Sequence, residues 1–286
     1  SSQLNEVEEL LNGQTDTYAY ASDAEEAQDQ FGMEVSDTTL VIREFKSYSG
    51  TLNPKVLIRK LHQGIRKAGN SINYHQKVSS LTKEDSIYKI MVVDTKTEAT
   101  TTILSRKVVA AAGPYNGALV KDVAPYFESL ISPKRLFLAF FKIGSDKYDA
   151  LTLAQQEQLK ASYPVAYLNA EIFYSMIEKY DEDDRPLLKV GGHFLRTDIQ
   201  DLDAVWAMEL TAEEIQWSQA NTLDYLTKLN LPLEFSDVEY AGGYSCVYSL
   251  TESEIPYVSH AVVNDSAIDS SFVMVGGMSG VGAKGS

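Results

Sequence analysis

The stretch SFVMVGGMSGVGAKGS (Ser271–Ser286) decides how this chain is read. SFVMV (Ser271–Val275) has strand composition, and glycine then sits at 276, 277, 280, 282 and 285. One reading is a glycine-rich tail. The other is a backbone that must pass close to something flat or charged, where a Cβ would collide. A second segment, KVVAAAGP (Lys107–Pro114), is a small-residue strand running into Gly-Pro. Its composition predicts a strand buried on both faces that ends beside a ligand or another backbone.

Working outward, Leu4, Val7, Leu10 and Leu11 recur at helical spacing. Ser22 or Asp23 caps a second helix, SDAEEAQDQFG. TTLVIREF (Thr38–Phe45) reads as a strand. Asn53 caps and Pro54 opens the next helix, with Val56, Leu57, Leu61 and Ile65 as its buried stripe and Gly69-Asn70 as its stop. SINYHQKVSSL, SIYKIMVVDT and ATTTILSRKVVAAA follow as strands, the last two joined by a turn near Lys96–Glu98. Pro133–Ile143 is an apolar strand, Leu151–Ser162 a polar helix, and Val165–Lys179 a hairpin turning at Asn169–Ala170. DEDDRP (Asp181–Pro186) is a solvated acidic turn, and LLKVGGHF (Leu187–Phe194) a strand. Thr211, with Glu214 three residues on, forms a capping box for a long helix. VEYAGGYSCVYSL (Val238–Leu250) is strand-like. The interleaved elements suggest two subdomains built from discontinuous pieces.

The chain has 286 residues, of which 44% are hydrophobic and 23% charged, enough for a sizeable core. A net charge of −15 argues against a nucleic-acid partner, which needs clustered Lys and Arg. The single cysteine, Cys246, excludes an internal disulfide and fits a reducing compartment. No run approaches ~18 uninterrupted apolar residues, so no membrane span is expected. The polar start carries no signal-peptide pattern, which predicts a cytoplasmic protein; a chain opening directly in a helix suggests one cut from something longer. His62, His75, His193 and His260 are scattered, with no HExxH or CxxC, so no metal site is expected. GxSxG, GxxxxGK[ST] and GxGxxG are all missing.

Four segments remain informative: AAAGPYN, KVGGHF, YSCVYSLT and GGMSGVGAK. In that order and spacing they resemble the flavin-dependent amine and amino-acid oxidases of the D-amino-acid-oxidase superfamily, most closely the monomeric sarcosine oxidase and glycine oxidase branch. SGTLNPKVLIRKLHQGIRKAGNSINYHQKVSSL is similar to that family's Asn-Pro helix and following strand. VVAAAGPYNGALV looks like its AAGAW turn, and GGMSGVGAK resembles its glycine–x–serine–glycine–histidine–glycine–x–lysine signature. Val281 stands where the family usually has histidine, and the family's N-terminal GxGxxG unit is not in this sequence.

The resemblance implies an α/β chain: an α+β substrate domain with a mixed or antiparallel sheet, plus a partial FAD-binding, Rossmann-like domain built from discontinuous segments. Residues 1–50, 107–130 and 271–286 would belong to the FAD-binding domain, 51–106 would be its shared helix and strands, and 131–270 the substrate-binding domain. It implies FAD as cofactor, with a hydride passing from the amine-bearing carbon of a small amine or amino acid to the flavin N5. The imine then hydrolyses, and oxygen or another acceptor takes the electrons. Ala112, Gly113 and Pro114 would turn near the ribose–pyrophosphate side. Gly277, Met278, Ser279, Gly280, Val281 and Gly282 would face the pyrimidine end of the ring, where glycine lets main-chain N–H groups approach and stabilise negative charge. Lys284 resembles a substrate-carboxylate anchor, His193 an active-site histidine, and Cys246 the cysteine linked to the flavin in one branch. Tyr174 and Tyr244 would line the substrate side. Covalent and non-covalent flavin both stay open. So does an alternative of another class, a non-catalytic α+β ligand-binding domain or fragment without bound flavin.

Overall fold

A computed structural model describes residues 9, 17–45, 50–168, 171–264 and 267–278. The helix expected around Leu4–Leu11 lies outside them, Glu9 excepted, as does the turn at Asn169–Ala170.

Strand β1 (Tyr18–Ala21), which the sequence did not announce, pairs antiparallel with β2 (Val41–Glu44). Between them, α1 (Ala24–Phe31) starts on Asp23, whose side chain accepts the Glu26 N–H at 2.9 Å. Helix α2 (Pro54–Lys67) forms as read, but its stripe is not buried. Leu57, Ile58, Leu61 and Ile65 are 37% to 55% exposed. Periodicity reports that a helix has an apolar face; it does not report what covers it. Leu61→Ala in this chain is therefore expected to cost under about 1 kcal/mol, against roughly 2–5 kcal/mol for a buried leucine such as Leu188. Urea unfolding of the two variants checks this.

Strands β3 (Gln76–Glu84), β4 (Ile87–Asp94) and β5 (Thr100–Ser105) make an antiparallel meander. Its second turn lies where expected, because the Asp94 carboxylate accepts the Lys96 and Thr97 N–H groups at 2.9 and 3.0 Å. ATTTILSRKVVAAA is not one strand. Ser105 Oγ donates to the Lys107 carbonyl at 2.7 Å and accepts the Lys107 N–H at 3.3 Å, a local bend that ends β5. The chain resumes as β6 (Val108–Ala110) in a different sheet. Nor is β6 covered on both faces: Val109 is 65% exposed.

Beyond the short helix α3 (Asn116–Val120), β7 (Ser132–Ile143) forms as expected. A short helix α4 (Ser145–Ala150), not foreseen, precedes the expected polar helix, which forms as α5 (Leu153–Ser162) on a capping box of Thr152 and Gln155. Strands β8 (Val165–Tyr167) and β9 (Phe173–Tyr180) make the expected hairpin, and β10 (Pro186–Gly192) follows the acidic turn. Arg185 closes that turn through Asp149 and Asp183 at 2.9 and 2.8 Å. After β11 (Thr197–Asp198), α6 (Ala212–Lys228) starts on the expected Thr211–Glu214 box. Strands β12 (Val238–Leu250), β13 (Tyr257–Asn264) and β14 (Ala267–Gly276) end the described chain; β13 was not foreseen.

One sheet has the order β11–β7–β10–β9–β8, with β12 also paired to β7. A second has the order β13–β14–β6, with β14 parallel to β6. The described residues divide into two compact units, the first from Ser1–Pro54, Phe137–Phe194 and Glu209–Tyr244, the second from Lys55–Leu136, Leu195–Met208 and Ser245–Ser286. Each has its own core. The first gathers Phe141, Phe173, Leu188 and Leu226; the second gathers Leu81, Tyr88, Phe127, Phe272 and Met274.

Candidate functional site

The second unit places two turns side by side. Strands β6 and β14 run parallel, with Val108 opposite Phe272 and Ala110 opposite Met274. Their carboxyl ends therefore finish at the same edge, the position where open α/β sheets bind ligands. Each strand runs into a glycine in the left-handed region: Gly113 at φ 57° and Gly277 at φ 68°. A side chain at either position would be strained. Space differs between them. A Cβ on Gly113 would meet nothing nearer than Ser249 Oγ at 3.8 Å, whereas one on Gly277 would strike Thr251 Cγ2 at 2.4 Å.

Asn116, fully buried, sits between these turns. Its Oδ1 accepts the Ala112 N–H and its Nδ2 donates to the Val275 carbonyl, both at 2.8 Å. Sequence reading did not single out Asn116; the only signal was one amide inside the small-residue run AAAGPYN. The Tyr257 hydroxyl is buried against Gly276 with no hydrogen-bond partner among the described residues. Burial pushes its pKa up.

Two charged clusters brace the same unit. Tyr115 donates to Asp203 at 2.9 Å, and Lys77 pairs with the same carboxylate at 3.0 Å. The Lys77 hydrogen bond, then that from Tyr115, holds the Asp203 carboxyl below its ordinary value. On β14, Asp269 accepts from Tyr88, Lys83 and both the N–H and hydroxyl of Ser271. Burial pushes the Asp269 carboxyl upward, but the Lys83, Ser271 and Tyr88 hydrogen bonds outweigh it and hold the group well below the usual carboxylate range. A carboxylate depressed in the folded state stabilises above its unfolded value, near pH 4, and loses that stabilisation as pH falls through the folded value. Asp269→Asn is therefore expected to lower neutral-pH stability by about 1.5–3 kcal/mol and to flatten the acid limb below about pH 4. Melting temperatures from pH 7 to pH 2 check both.

The first unit positions the residues read as substrate-facing. Tyr174 on β9 lies opposite Gly191 on β10, where a Cβ would come within 2.6 Å of its ring. His193 follows β10, half-buried, its backbone N–H bonded to the Glu171 and Ile172 carbonyls. Beside it, Phe194 stacks on Trp217 with centroids 5.1 Å apart, and Trp217 donates to Glu171 at 2.7 Å. Tyr244 on β12 is 43% exposed, its ring 5.9 Å from Phe140.

His193, Tyr174 and Tyr244 thus belong to the first unit, and Ala112, Gly113, Pro114, Cys246, Gly277 and Met278 to the second. Cys246 is half-buried on β12. Its neighbour Ser245, whose side chain leaves the other face of the strand, accepts from the buried Arg135 at 3.0 Å. Ser279, Gly280, Val281, Gly282 and Lys284 lie outside the described residues. An open cleft of about 400 Å³ lies elsewhere in the second unit, against α2 and Tyr74, lined by Lys55, Arg59, His62 and Arg66 among others. Among the described residues, no group of three His, Cys, Asp or Glu could hold a metal, and no helix is long and apolar enough to cross a membrane.

Solved structures share the mixed α/β fold with antiparallel sheets. L-proline dehydrogenase from P. horikoshii aligns over 98% of this chain and 64% of its own, at 12% identity and a TM-score of 0.65. Iminodiacetate oxidase from Chelativorans sp. BNC1 aligns over 97% and 64%, at 13% identity and 0.60. An L-amino acid deaminase from Proteus vulgaris aligns over 96% and 59%, at 12% identity and 0.54. The chain therefore spans less than two thirds of each of these proteins. No curated protein matches by sequence. The model of the DAO family, described as FAD dependent oxidoreductase, matches residues 3–286, and the chain belongs to that family.

Proposed function

We propose that the chain carries the substrate-binding part and the C-terminal flavin-contacting pieces of an oxidoreductase acting on the C–N bond of a small amine or amino acid, in the manner of the sarcosine, glycine and D-amino-acid oxidases. The family match over residues 3–286 carries this reading. Support for the substrate class comes from two structural neighbours named for iminodiacetate and L-proline, both secondary amines bearing carboxylates. In this reading residues 1–50, 51–106, 107–130 and 271–286 serve the cofactor and residues 131–270 the substrate, in a cytoplasmic enzyme.

The residues present fit FAD on one side. Left-handed glycine turns end two parallel strands, a Cβ on Gly113 would make only an ordinary contact with Ser249, and the buried Tyr257 hydroxyl has no hydrogen-bond partner among the described residues. They carry no GxGxxG to cradle a pyrophosphate. Bound FAD supplies the two-electron acceptance that C–N oxidation requires. The chain supplies the rest. Ala112, Gly113 and Pro114 bring the backbone to the cofactor's ribose–pyrophosphate side. The segment Gly277–Gly282 offers main-chain N–H groups to developing negative charge, which preorganised donors stabilise strongly. Lys284 anchors a substrate carboxylate, His193 orients the amine, Tyr174 and Tyr244 line the substrate side, and Cys246 is the residue available for covalent attachment.

A visible spectrum of the purified full chain, before and after acid precipitation, tests the proposal. A yellow supernatant means non-covalent FAD, and a yellow pellet means attachment at Cys246. A colourless protein favours a non-catalytic ligand-binding domain or a fragment without bound flavin. Peroxide release on adding amine separates an oxidase from a dehydrogenase that passes electrons to a partner. Lys284→Ala is expected to raise KM for carboxylate substrates by about tenfold or more, the scale of one charge-assisted hydrogen bond; an unchanged KM removes the anchor role.

A further inference from the structure

We infer that Asn116 is a positioning residue, a buried amide that holds the turns after β6 and β14 at a fixed spacing so that both face one ligand. The inference rests on the FAD reading above and adds to it a residue that neither the motif resemblance nor the family match assigns.

The two turns are distant in sequence, and Asn116 is bonded to both. Strands β6 and β14 share a register of three residue pairs, which ends at Ala110 and Met274. Beyond that point the ladder stops, and the amide of Asn116 takes over its work. One side chain bonds the N–H immediately before Gly113 and the carbonyl two residues before Gly277. Both strong groups of the amide are committed, and the side chain is 0% exposed, so no water competes for them.

The backbone on either side of Asn116 is closely packed. Its neighbour Gly117 lies so close to the Glu128 carbonyl that an added Cβ would fall 2.5 Å from it. On the other side, an added Cβ on Gly276 would stand 3.0 Å from Asn116 Nδ2 and 2.7 Å from the Tyr257 hydroxyl. The backbone around the amide is thus packed at contact distance on both sides, and the amide fixes the separation of the two left-handed glycines. A site built from main-chain groups on separate loops works only if their spacing is set before the ligand arrives; preorganisation lowers the ordering cost of binding. Without the amide, β6 and β14 keep their ladder while the turns beyond it lose their common anchor. Ligand affinity is then expected to fall further than stability.

The test uses the full chain and the variants Asn116→Ala and Asn116→Asp. The aspartate keeps an acceptor for the Ala112 N–H and loses the donor to Val275. FAD affinity is read from quenching of flavin fluorescence. The visible circular dichroism of the bound flavin reports its setting, and far-ultraviolet melts establish a temperature at which each variant is folded. At that temperature Asn116→Ala is expected to weaken FAD binding at least tenfold and change the visible dichroism, with Asn116→Asp also weakened. If Asn116→Ala does not fold, Asn116→Asp and Asn116→Ser carry the same comparison. A lowered melting temperature with wild-type affinity and dichroism assigns Asn116 to structure only and overturns the inference. A wild-type chain that takes up no FAD overturns the flavin reading itself, and this inference with it.

Discussion

Replacing Gly277 with alanine is expected to destabilise the protein by about 3 kcal/mol or more, from two separable causes. The first is the backbone. Gly277 stands at φ 68°, a conformation that costs a non-glycine residue about 1–2 kcal/mol. The second is steric. The new methyl would lie 2.4 Å from Thr251 Cγ2, with the Tyr257 ring and the Ile255 carbonyl at 3.5 Å on its other sides. Overpacking of this kind typically costs about 1–3 kcal/mol. A double variant separates them. Thr251→Ser deletes the clashing methyl and keeps the hydroxyl that donates to the Ile255 carbonyl at 3.0 Å. Thermal melts of the Gly277→Ala, Thr251→Ser pair should recover the steric part and leave the backbone part. Complete recovery would show that φ carries no cost here; no recovery would show that Thr251 is not what the methyl meets. In the FAD reading, Gly277→Ala also lowers flavin uptake.

Gly192→Ala is expected to disturb the first unit by a comparable amount, about 2–4 kcal/mol, through packing only. Its methyl would fall 2.2 Å from the edge of the Trp217 ring and 2.7 Å from the Ile172 carbonyl. Trp217 cannot yield cheaply. It is stacked on Phe194, meets Phe137 edge-on at 6.1 Å and Phe173 at 6.2 Å, and holds Glu171 through its indole N–H. Because the chain has two tryptophans and Trp206 is 55% exposed, a shift in emission reports mainly on Trp217. A melting point lowered by roughly 2–4 °C per kcal/mol, together with that shift, is the expected result. Wild-type melting and emission would mean that the Gly191-Gly192 pair is not held by the tryptophan. His193 is the next residue, so the same displacement is expected to move the histidine that the proposed function uses to orient substrate.

Both glycines were visible in the sequence, but their reasons were not. GGMSGVGAK suggested a backbone approaching a ligand; within the chain itself, a Cβ on Gly277 would also strike the Thr251 methyl. KVGGHF read as a strand of a substrate domain; that its second glycine accommodates a tryptophan 25 positions later needed the packed structure. The loop at Gly113 is the converse case. There a Cβ would make only an ordinary contact, with Ser249 Oγ at 3.8 Å, and the left-handed backbone is what calls for glycine.

By itself the sequence determined most of the local elements and the family resemblance. The Asp23 cap, the Thr211–Glu214 box, the Asp94 turn and the β8–β9 hairpin all form where they were read. Each depends on hydrogen bonds between groups a few residues apart, or on alternation along one strand, and such signals are written into short windows. The tertiary structure alone decided that β6 leaves the meander for a parallel partner, that the α2 stripe stays exposed, and that Asn116 joins two turns. Asn116 and Val275 stand 159 positions apart, and nothing in a local window specifies which distant backbone group a buried amide will meet. Local propensity fixes what each segment can be; its partner is fixed only when the whole chain competes for burial.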